Sequence, residues 1–186
     1  MTEVEKLSKD SETKMHAAVD AVKKHFATVR TGRAHASLVE HVKVDYYGTM
    51  MTVKQLANIT VPEPRLIVIQ PWDKGAMEAI EKGIQMSDIG ILPMNDGKNL
   101  RLSMPQLTHE RRDELKKSLH RMAEEGRVSI RATRHQANDK AQTLEKDKLM
   151  TEDDKFAAKD KVQKLTDKFI KEIDDLLKAK EDEISS

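Results

Sequence analysis

Residues 108–144 read THERRDELKKSLHRMAEEGRVSIRATRHQANDKAQTL, and this stretch decides the fold. Its apolar and small residues advance by threes and fours, which is the spacing of one face of an α-helix. They are Leu115, Leu119, Met122, Gly126, Ile130, Thr133, Ala137, Ala141 and Leu144. Thr108 is a suitable N-cap, and Glu110 lies in the first turn, where the helix dipole favours an acid. The stretch therefore predicts one helix of about 40 residues, roughly 60 Å long.

Two further stretches show the same helical period, one before and one after this helix. The first runs from about Thr2 to Arg30 and starts with Thr2 and Glu5 in capping-box spacing; the second starts with the pair Thr151 and Asp154. Their stripes are Val4, Leu7, Met15, Ala18, Val19, Val22, Phe26 and Val29, then Phe156, Val162, Leu165, Phe169, Ile173, Leu176 and Leu177. Because single helices this polar are marginal in water, we expect the three stripes to pack as a bundle.

The segment between the first and second helices has a different character. Residues 31–104 hold six of the seven glycines and four of the five prolines, so this segment is rich in turns. Alternating or apolar runs predict strands near 42–46, 50–53, 66–69, 91–94 and 100–103. Met77, Ile80 and Ile84 mark one short amphipathic helix. The residues Asn95-Asp96-Gly97-Lys98 predict a hairpin loop, since Asn, Asp and Gly tolerate positive φ.

The sequence thus predicts an α+β protein of two domains. Residues 1–30 and 105–186 form the three-helix bundle, and residues 31–104 form an inserted β/α/β domain. The chain leaves the bundle near Gly32 and returns near Pro105. Two crossings at one place are a candidate hinge, with a rigid packed junction as the alternative.

Composition narrows the class of protein and its partner. The chain has no cysteine, which excludes disulfides and thiolate zinc sites, and no apolar run approaches the roughly 20 residues that span a bilayer. We therefore expect a cytoplasmic protein without membrane contact. The formal net charge of +1 hides a local excess of basic residues at 21–43 and at 126–138. Local basic charge favours a localised anionic partner.

The clearest candidate site is the arginine triplet Arg127, Arg131 and Arg134. At 100° per residue these side chains fall within about 60° of one another on the second long helix. Arg30 and Arg33 bracket the break after the first helix. Guanidinium groups offer fork-shaped donors that suit phosphate, so the pattern favours RNA backbone binding over base reading. An ordinary solvated helix face remains the alternative for the triplet alone.

Catalytic patterns are poor, and we expect no enzyme, metal or cofactor. The seven histidines lack metal-ligand spacing, and the glycines near Gly97-Lys98 lack the spacing of a phosphate loop. The adjacent acids Asp153-Asp154 lie in polar surroundings, where nothing would tune them for acid–base chemistry. For Trp72, the single tryptophan, structural packing is favoured over a stacking platform.

Five motifs, taken together, resemble the ribosome recycling factor family. They are Arg30-Thr31-Gly32-Arg33-Ala34, Val44-Asp45-Tyr46-Tyr47-Gly48, Pro71-Trp72-Asp73, Asn95-Asp96-Gly97-Lys98 and Leu107-Thr108-His109-Glu110-Arg111-Arg112. They come in the family's order, and the resemblance covers essentially the whole chain. Each motif alone is weak, but five in register are highly specific.

The resemblance implies an L-shaped monomer with a bundle at right angles to a small β/α/β domain. It implies binding to the large ribosomal subunit and its ribosomal RNA after termination, and splitting of the ribosome with elongation factor G, which holds the GTP. Initiation factor three is expected to act afterwards. The family's RNA-contacting arginines correspond to Arg30, Arg33, Arg131 and Arg134, and the residue pattern adds Arg127.

One motif departs from the family, and two other classes of function stay open. The family often has Arg-Asn-x-Arg-Arg in the second helix, where this chain has Ala132 and His135. A contact that needs a basic residue at 135 would depend on pH or be lost. A coiled-coil scaffold or chaperone adaptor would instead expose apolar seams, and an enzyme seated in the insert would show turnover.

Overall fold

The computed structural model describes residues 2–186, and the chain divides into two compact units. The helical unit combines the chain up to Thr31 with His109–Ser185, and the insert unit is Gly32–Thr108. In chain order the elements are α1 (Glu3–Thr28), α2 (Ser37–Glu40), β1 (Lys43–Tyr46), β2 (Thr49–Thr52), α3 (Val53–Leu56), β3 (Ala57–Glu63), β4 (Leu66–Pro71), α4 (Ala76–Gln85), β5 (Met94–Asn95), β6 (Leu100–Ser103), α5 (His109–Lys146) and α6 (Glu152–Ser185). The α+β class predicted from the sequence is confirmed.

Both predicted capping pairs are present at helix N-termini of the helical unit. At α1, the Thr2 N–H donates to Glu5 Oε2 at 2.9 Å, and the Glu5 N–H donates to Thr2 Oγ1 at 3.2 Å. At α6, the Asp154 N–H donates to Thr151 Oγ1 at 3.1 Å, and the Thr151 N–H donates to Asp154 Oδ2 at 3.4 Å. These bonds satisfy amides that the first turn of a helix leaves unpaired.

One buried stripe on each long helix forms the core of the helical unit. The buried residues are Val4, Leu7, Ser11, Met15, Ala18, Val19, Val22 and Phe26 on α1, Leu115, Leu119, Ala123, Gly126, Ile130, Thr133, Ala137 and Ala141 on α5, and Ala158, Val162, Thr166, Phe169, Ile173, Leu177 and Ile184 on α6. The glycine on α5 is required for close packing. A Cβ on Gly126 would overlap the Val22 side chain and lie 2.9 Å from Ile173 Cδ1.

The predicted stripes differ from the observed core at their margins, where Val29, Met122, Leu144, Leu165 and Leu176 are only half-buried and Phe156 is exposed. Phe156 is 58% exposed, because the inward face of α6 begins two residues later, at Ala158. On α5 the buried residue is Ala123, while Met122 is only half-buried. The small side chain of Ala123 suits a position where α5 packs against two other helices. Met122 lies at the margin of the buried stripe, where a large side chain does not need full burial.

The core of the insert unit is one cluster of buried side chains from its four-stranded sheet, from β1 and from helices α2, α3 and α4. The sheet is antiparallel in the order β3-β4-β6-β5. In its centre Ile67 pairs with Leu102 and Ile69 pairs with Leu100, and all four side chains are fully buried. Helix α4 adds buried residues at the spacing predicted from the sequence, which are Met77, Ile80 and Ile84.

The predicted strands of the insert unit are partly right. The strand predicted over 66–69 is confirmed within β4. The strand predicted near 91–94 is shorter and later in the structure, since β5 comprises only Met94–Asn95. Val53 does not end a strand but starts α3, whose capping box joins Thr52 and Gln55. Strand β3 was missed, because its centre pairs with β4 while most of its side chains stay exposed, so it lacks an apolar signal.

Two local turns shape the hairpins of the insert unit. Tyr47 and Gly48 both have positive φ, 51° and 78°, and join β1 to β2 as a two-residue loop. In the second hairpin Gly97 has φ of 88°, and Asp96 Oδ1 accepts the N–H groups of Lys98 and Asn99 at 3.0 and 2.7 Å. The second turn is the hairpin loop predicted at 95–98, and the first joins the strands predicted near 42–46 and 50–53. Both turns depend on short-range chemistry.

Candidate nucleic-acid interface

Helix α5 carries the three arginines singled out from the sequence, Arg127, Arg131 and Arg134. All three are intermediate in exposure. Their spacing of four and three residues places them on one side of α5, at the margin of its buried stripe. The structure therefore brings the triplet together, with Arg127 and Arg131 bonded to carboxylates and Arg134 bonded to an amide.

Arg127 links α5 to α6. Its Nε and Nη2 atoms donate to Asp174 Oδ1 at 2.9 and 2.5 Å, and its Nη1 donates to Glu124 at 3.1 Å. The side chain is 20% exposed. Burial by itself would lower the pKa of Arg127, but the bonds to Asp174 and Glu124 outweigh it and raise that pKa. Two carboxylates thus already occupy the donors that a phosphate would need.

Arg131 shares the second of those carboxylates. Its Nη2 donates to Glu124, and the side chain is 40% exposed. Hydrogen bonds from Arg127, and then from Arg131, lower the pKa of Glu124. The stretch without acids between Glu125 and Asp139 therefore does not produce a surface without acids, because Glu124 reaches back along the helix.

Arg134 keeps the most available charge of the triplet. Its Nη1 donates to Gln163 Oε1 on α6 at 3.3 Å, and it forms no ion pair within residues 2–186. Further along the helix, Asn138 Oδ1 is shielded from solvent without a partner among the described residues. Towards the start of α5, on the other side of the triplet, His120 Nε2 lies 2.6 Å from Glu181 Oε1. Side chains of α6 therefore pair with part of the polar face of α5 that carries the arginines.

Basic residues near the end of α1 belong to the same unit. Lys23 Nζ lies 2.9 Å from Glu172 Oε1, and this hydrogen bond raises the pKa of Lys23. Lys24 and Arg30 are exposed, and no ion pair joins either of them to another described residue. Arg30 follows the end of α1 and is a free cation of the helical unit.

Arg33 belongs to the insert unit and lies in the loop before α2. It is half-buried, and its Nε is shielded from solvent without a hydrogen-bond partner in the described part of the chain. The neighbouring Gly32 has φ of 77°, and a Cβ there would lie 3.1 Å from Leu107 Cγ. The backbone before Arg33 therefore requires glycine.

Three other features of the described residues concern metal ligands, membrane-spanning helices and Trp72. Within residues 2–186 no group of three or more His, Asp or Glu side chains could hold a metal ion. None of the described helices is long and apolar enough to cross a membrane. The packing interpretation of Trp72 is wrong, because its side chain is 69% exposed in the insert unit.

Sequence reasoning missed the acidic and amide partners of the arginines. Glu124 could have been found, since it precedes Arg127 by three residues on one helix face. Asp174 and Gln163 could not, because they come from α6, and only packing brings them to α5. The candidate interface is therefore less basic than the sequence of α5 alone predicts.

The sequence of this chain is similar to those of known proteins over nearly its whole length. The family model described as ribosome recycling factor matches residues 22–184. A ribosome-recycling factor of Carboxydothermus hydrogenoformans is 57% identical over 183 residues, which is 98% of this chain and 99% of the relative. One from Clostridioides difficile is 51% identical over 178 residues, 96% of each chain.

Solved structures agree with the family match. A solution structure of the ribosome recycling factor has a TM-score of 0.71 at 43% identity and covers 100% of this chain and 98% of its own. A model of the T. thermophilus factor, bound with the E. coli elongation factor G to the E. coli post-termination complex, has a TM-score of 0.63 at 41% identity and covers 99% of both chains.

Three long charged helices and an inserted antiparallel sheet define an α+β protein that presents arginines from its central long helix. Its similarity to these relatives extends over both units. The chain belongs to the ribosome recycling factor family.

Proposed function

We propose that this protein recycles ribosomes. It binds the large ribosomal subunit after termination and, with elongation factor G and GTP, splits the subunits and so releases ribosomes from mRNA. The observation that carries this proposal is the match over 99% of the chain to a recycling factor bound with elongation factor G to a post-termination complex. Identity of 57% over 98% of the chain to another recycling factor supports it.

Within this proposal, the RNA contacts come from Arg30, Arg33, Arg131 and Arg134, with Arg127 in a supporting role. Arg30 and Arg134 have no ion pair within residues 2–186, so their charge is available to phosphate. Arg127 joins α5 to α6 through its bond to Asp174 and so stabilises the packing of the helix that carries the other two arginines. Phosphate contacts of this kind position an RNA without reading its sequence.

The carboxylate of Glu124 competes with RNA for the same donors. A phosphate that binds Arg131 competes with Glu124 for its Nη2 donor, whereas one that binds Arg134 competes only with a long hydrogen bond to Gln163. Breaking an ion pair on binding subtracts from the affinity gained. We therefore assign the larger contribution to Arg134.

The proposal also covers partners and place of action. The protein acts by binding and not by catalysis, because GTP is bound by elongation factor G, and initiation factor three acts afterwards. It works as a monomer in the cytoplasm and does not contact a membrane. We assign the two bundle segments, 1–30 and 105–186, to RNA binding. The inserted segment 31–104 is a separate domain, whose first residues add Arg33 to the RNA contacts.

We further propose Gly32 and Pro105 as the hinge residues. The positive φ of Gly32, and the little room that Leu107 leaves for a Cβ at this position, support a defined backbone crossing inside the insert unit. Pro105 fixes its own φ and cannot donate a backbone hydrogen bond, which suits a segment between elements. Small-angle scattering of the parent chain and of Gly32→Ala tests this; identical distributions of interdomain distance would leave Gly32 without a hinge role.

The experiment for the recycling function is subunit splitting of post-termination ribosomes with elongation factor G and GTP present. We expect the parent chain to split them and Arg134→Ala to bind the large subunit about 1–3 kcal/mol more weakly. Arg131→Ala should lose less, and Glu124→Gln should bind more tightly. Ribosomes left intact by the parent chain would contradict the proposed function.

Lys140→Ala is the matched control for these arginine variants. Lys140 is an exposed cation of α5 that lies about 180° around the helix from Arg131. It should bind the large subunit like the parent chain in a pelleting assay. If it loses as much affinity as Arg134→Ala, then general charge rather than the arginine face determines binding.

A further inference from the structure

The insert unit exposes apolar surface that the RNA proposal does not use. Within residues 2–186 ten large hydrophobic side chains are exposed, and seven of them lie in this unit. They are Tyr47, Met50, Val61, Trp72, Met86, Leu92 and Met94. Residues 32–108 contain eight basic and eight acidic residues, so the unit has no net formal charge. A neutral surface with exposed apolar side chains favours a protein partner over a polyanion.

Two of these side chains lie on a groove of about 600 Å³ between the β1–β2 hairpin and α4. Met50 lies on the hairpin side and is 61% exposed, while Met86 lies at the end of α4 and is 79% exposed. The groove exists because α4 packs closely on β1: a Cβ on Gly83 would lie 2.9 Å from Val44 Cγ2 and 3.2 Å from Lys43 O. The methionines can adapt their flexible side chains to an apolar group that enters between them.

The charges at the groove are basic and available. Lys43 and Lys82 line it, both are exposed, and no ion pair joins either of them to another residue in the range 2–186. The one carboxylate in the lining, Asp45, accepts the Gly48 N–H at 2.9 Å and so supports the hairpin turn. An occupant would therefore meet two unpaired ammonium groups beside an apolar centre.

We propose that this groove binds a segment of a protein partner in which an apolar side chain is flanked by carboxylates. The apolar side chain packs between Met50 and Met86, and the carboxylates pair with Lys43 and Lys82. This surface lies in the insert unit, whereas the proposed RNA contacts on α5 lie in the helical unit. The inference therefore goes beyond the proposed RNA binding.

The experiment uses the full chain with ¹³C-labelled methionine methyl groups and a synthetic peptide as probe. The peptide is the acetylated, amidated hexamer Glu-Asp-Leu-Phe-Glu-Asp, and its matched control replaces each acid with lysine. We expect saturable shifts of the Met50 and Met86 methyl signals, and none at Met15, which is buried in α1. The lysine peptide should bind about fivefold more weakly than the acidic peptide, because it loses both ion pairs.

Two variants and one control test the groove itself. Met86→Ser should weaken peptide binding about tenfold, the scale of one buried methionine, and Lys82→Glu should abolish the preference for the acidic peptide. Met94→Ser is the control, since Met94 is 69% exposed in the same unit but does not line the groove. All three positions are exposed, so the fold should be retained, which circular dichroism verifies.

Several results would overturn the proposal. One is the absence of methyl shifts at millimolar peptide, and another is equal binding by Met86→Ser and the parent chain. A third is a single-stranded RNA oligonucleotide that shifts the Met50 and Met86 signals as strongly as the acidic peptide, because the groove would then be a nucleic-acid site.

Discussion

Gly126 in the helical unit and Gly83 in the insert unit both lie on a helix that approaches another element too closely for a side chain. At Gly126 the neighbours are the ends of two side chains, Val22 and Ile173. At Gly83 they are a Val44 methyl group and the backbone carbonyl of Lys43. The bundle can therefore adjust by moving side chains, while the insert would have to move a strand.

The two units also differ in the surface that they offer to a partner. The helical unit presents arginines, several of which are already bonded to carboxylates of α5 and α6. The insert unit presents exposed methionine and aromatic side chains and has no net formal charge. One chain thus carries two chemically distinct surfaces, and changes confined to one unit should leave the other surface intact.

The largest effect is expected from Gly126→Val. The added side chain must overlap Val22 and Ile173, so we expect a loss of about 3 kcal/mol in the free energy of unfolding, measured by circular dichroism in urea. Adding Val22→Ala should restore part of the loss. Ala132→Val, at an exposed position of the same helix, is the control. A loss below about 0.5 kcal/mol would mean that the bundle is loosely packed.

Gly83→Ala should cost less but resist rescue. The overlap with Val44 and Lys43 O is partly offset by the better helix propensity of alanine, which leaves a loss of about 1–2 kcal/mol. Adding Val44→Ala should restore little, because the carbonyl of Lys43 stays in place. The fluorescence of Trp72 reports unfolding of this unit, and Gln85→Ala is an exposed control on α4. Full rescue would erase the contrast between the two glycines.

Arg127→Ala tests whether this arginine stabilises the bundle. Loss of its bonds to Asp174 leaves a partly exposed carboxylate unpaired, and we expect a destabilisation of about 1 kcal/mol. A double-mutant cycle with Asp174→Asn should show coupling of similar size. Arg134→Ala, with its single long hydrogen bond, should change stability less. Additive effects in the cycle would make Arg127 a free RNA contact instead.

Tyr46→Phe should have the smallest effect, with a distinct pH profile. The Tyr46 hydroxyl donates to Asp73 Oδ2 at 2.6 Å, which raises the pKa of Tyr46 to about 12 and lowers the pKa of Asp73. The contribution of Tyr46 is therefore present between the ordinary pKa values of Asp, near 3.8, and Tyr, near 10.0. It is lost as pH falls through the lowered pKa of Asp73 or rises towards about 12.

Urea titrations of the parent chain and of Tyr46→Phe across this range, followed by Trp72 fluorescence, measure that difference. The control is Tyr47→Phe, whose side chain is 85% exposed. A stability difference that stays constant below pH 4 and above pH 10 would exclude the Tyr46–Asp73 bond as its cause.

Short-range chemistry explains which elements could be predicted. The capping pairs at Thr2 and Thr151, and the loops at Gly48 and Gly97, depend on residues at most three positions apart. Strand β3 was missed, because its pairing with β4 depends on backbone hydrogen bonds that leave no pattern in its own side chains.

The candidate site was predicted only in part for a related reason. The position of Arg127, Arg131 and Arg134 on one side of α5 follows from helical spacing. Helical spacing does not predict which of these arginines are already bonded to other side chains, because their partners Asp174 and Gln163 come from α6. The exposure of Trp72 likewise depends on which elements cover it, and an aromatic residue carries no local signal for that.

By itself, the sequence determined the three long helices, the sheet-bearing insert and the family, because periodicity, caps, turns and motifs are properties of neighbouring residues. Only the tertiary structure decided which arginines are free, why Gly126 and Gly83 must be glycine, and where Met50 and Met86 line a groove. These features join residues far apart in the chain, and their distances are set by packing rather than by local backbone preference.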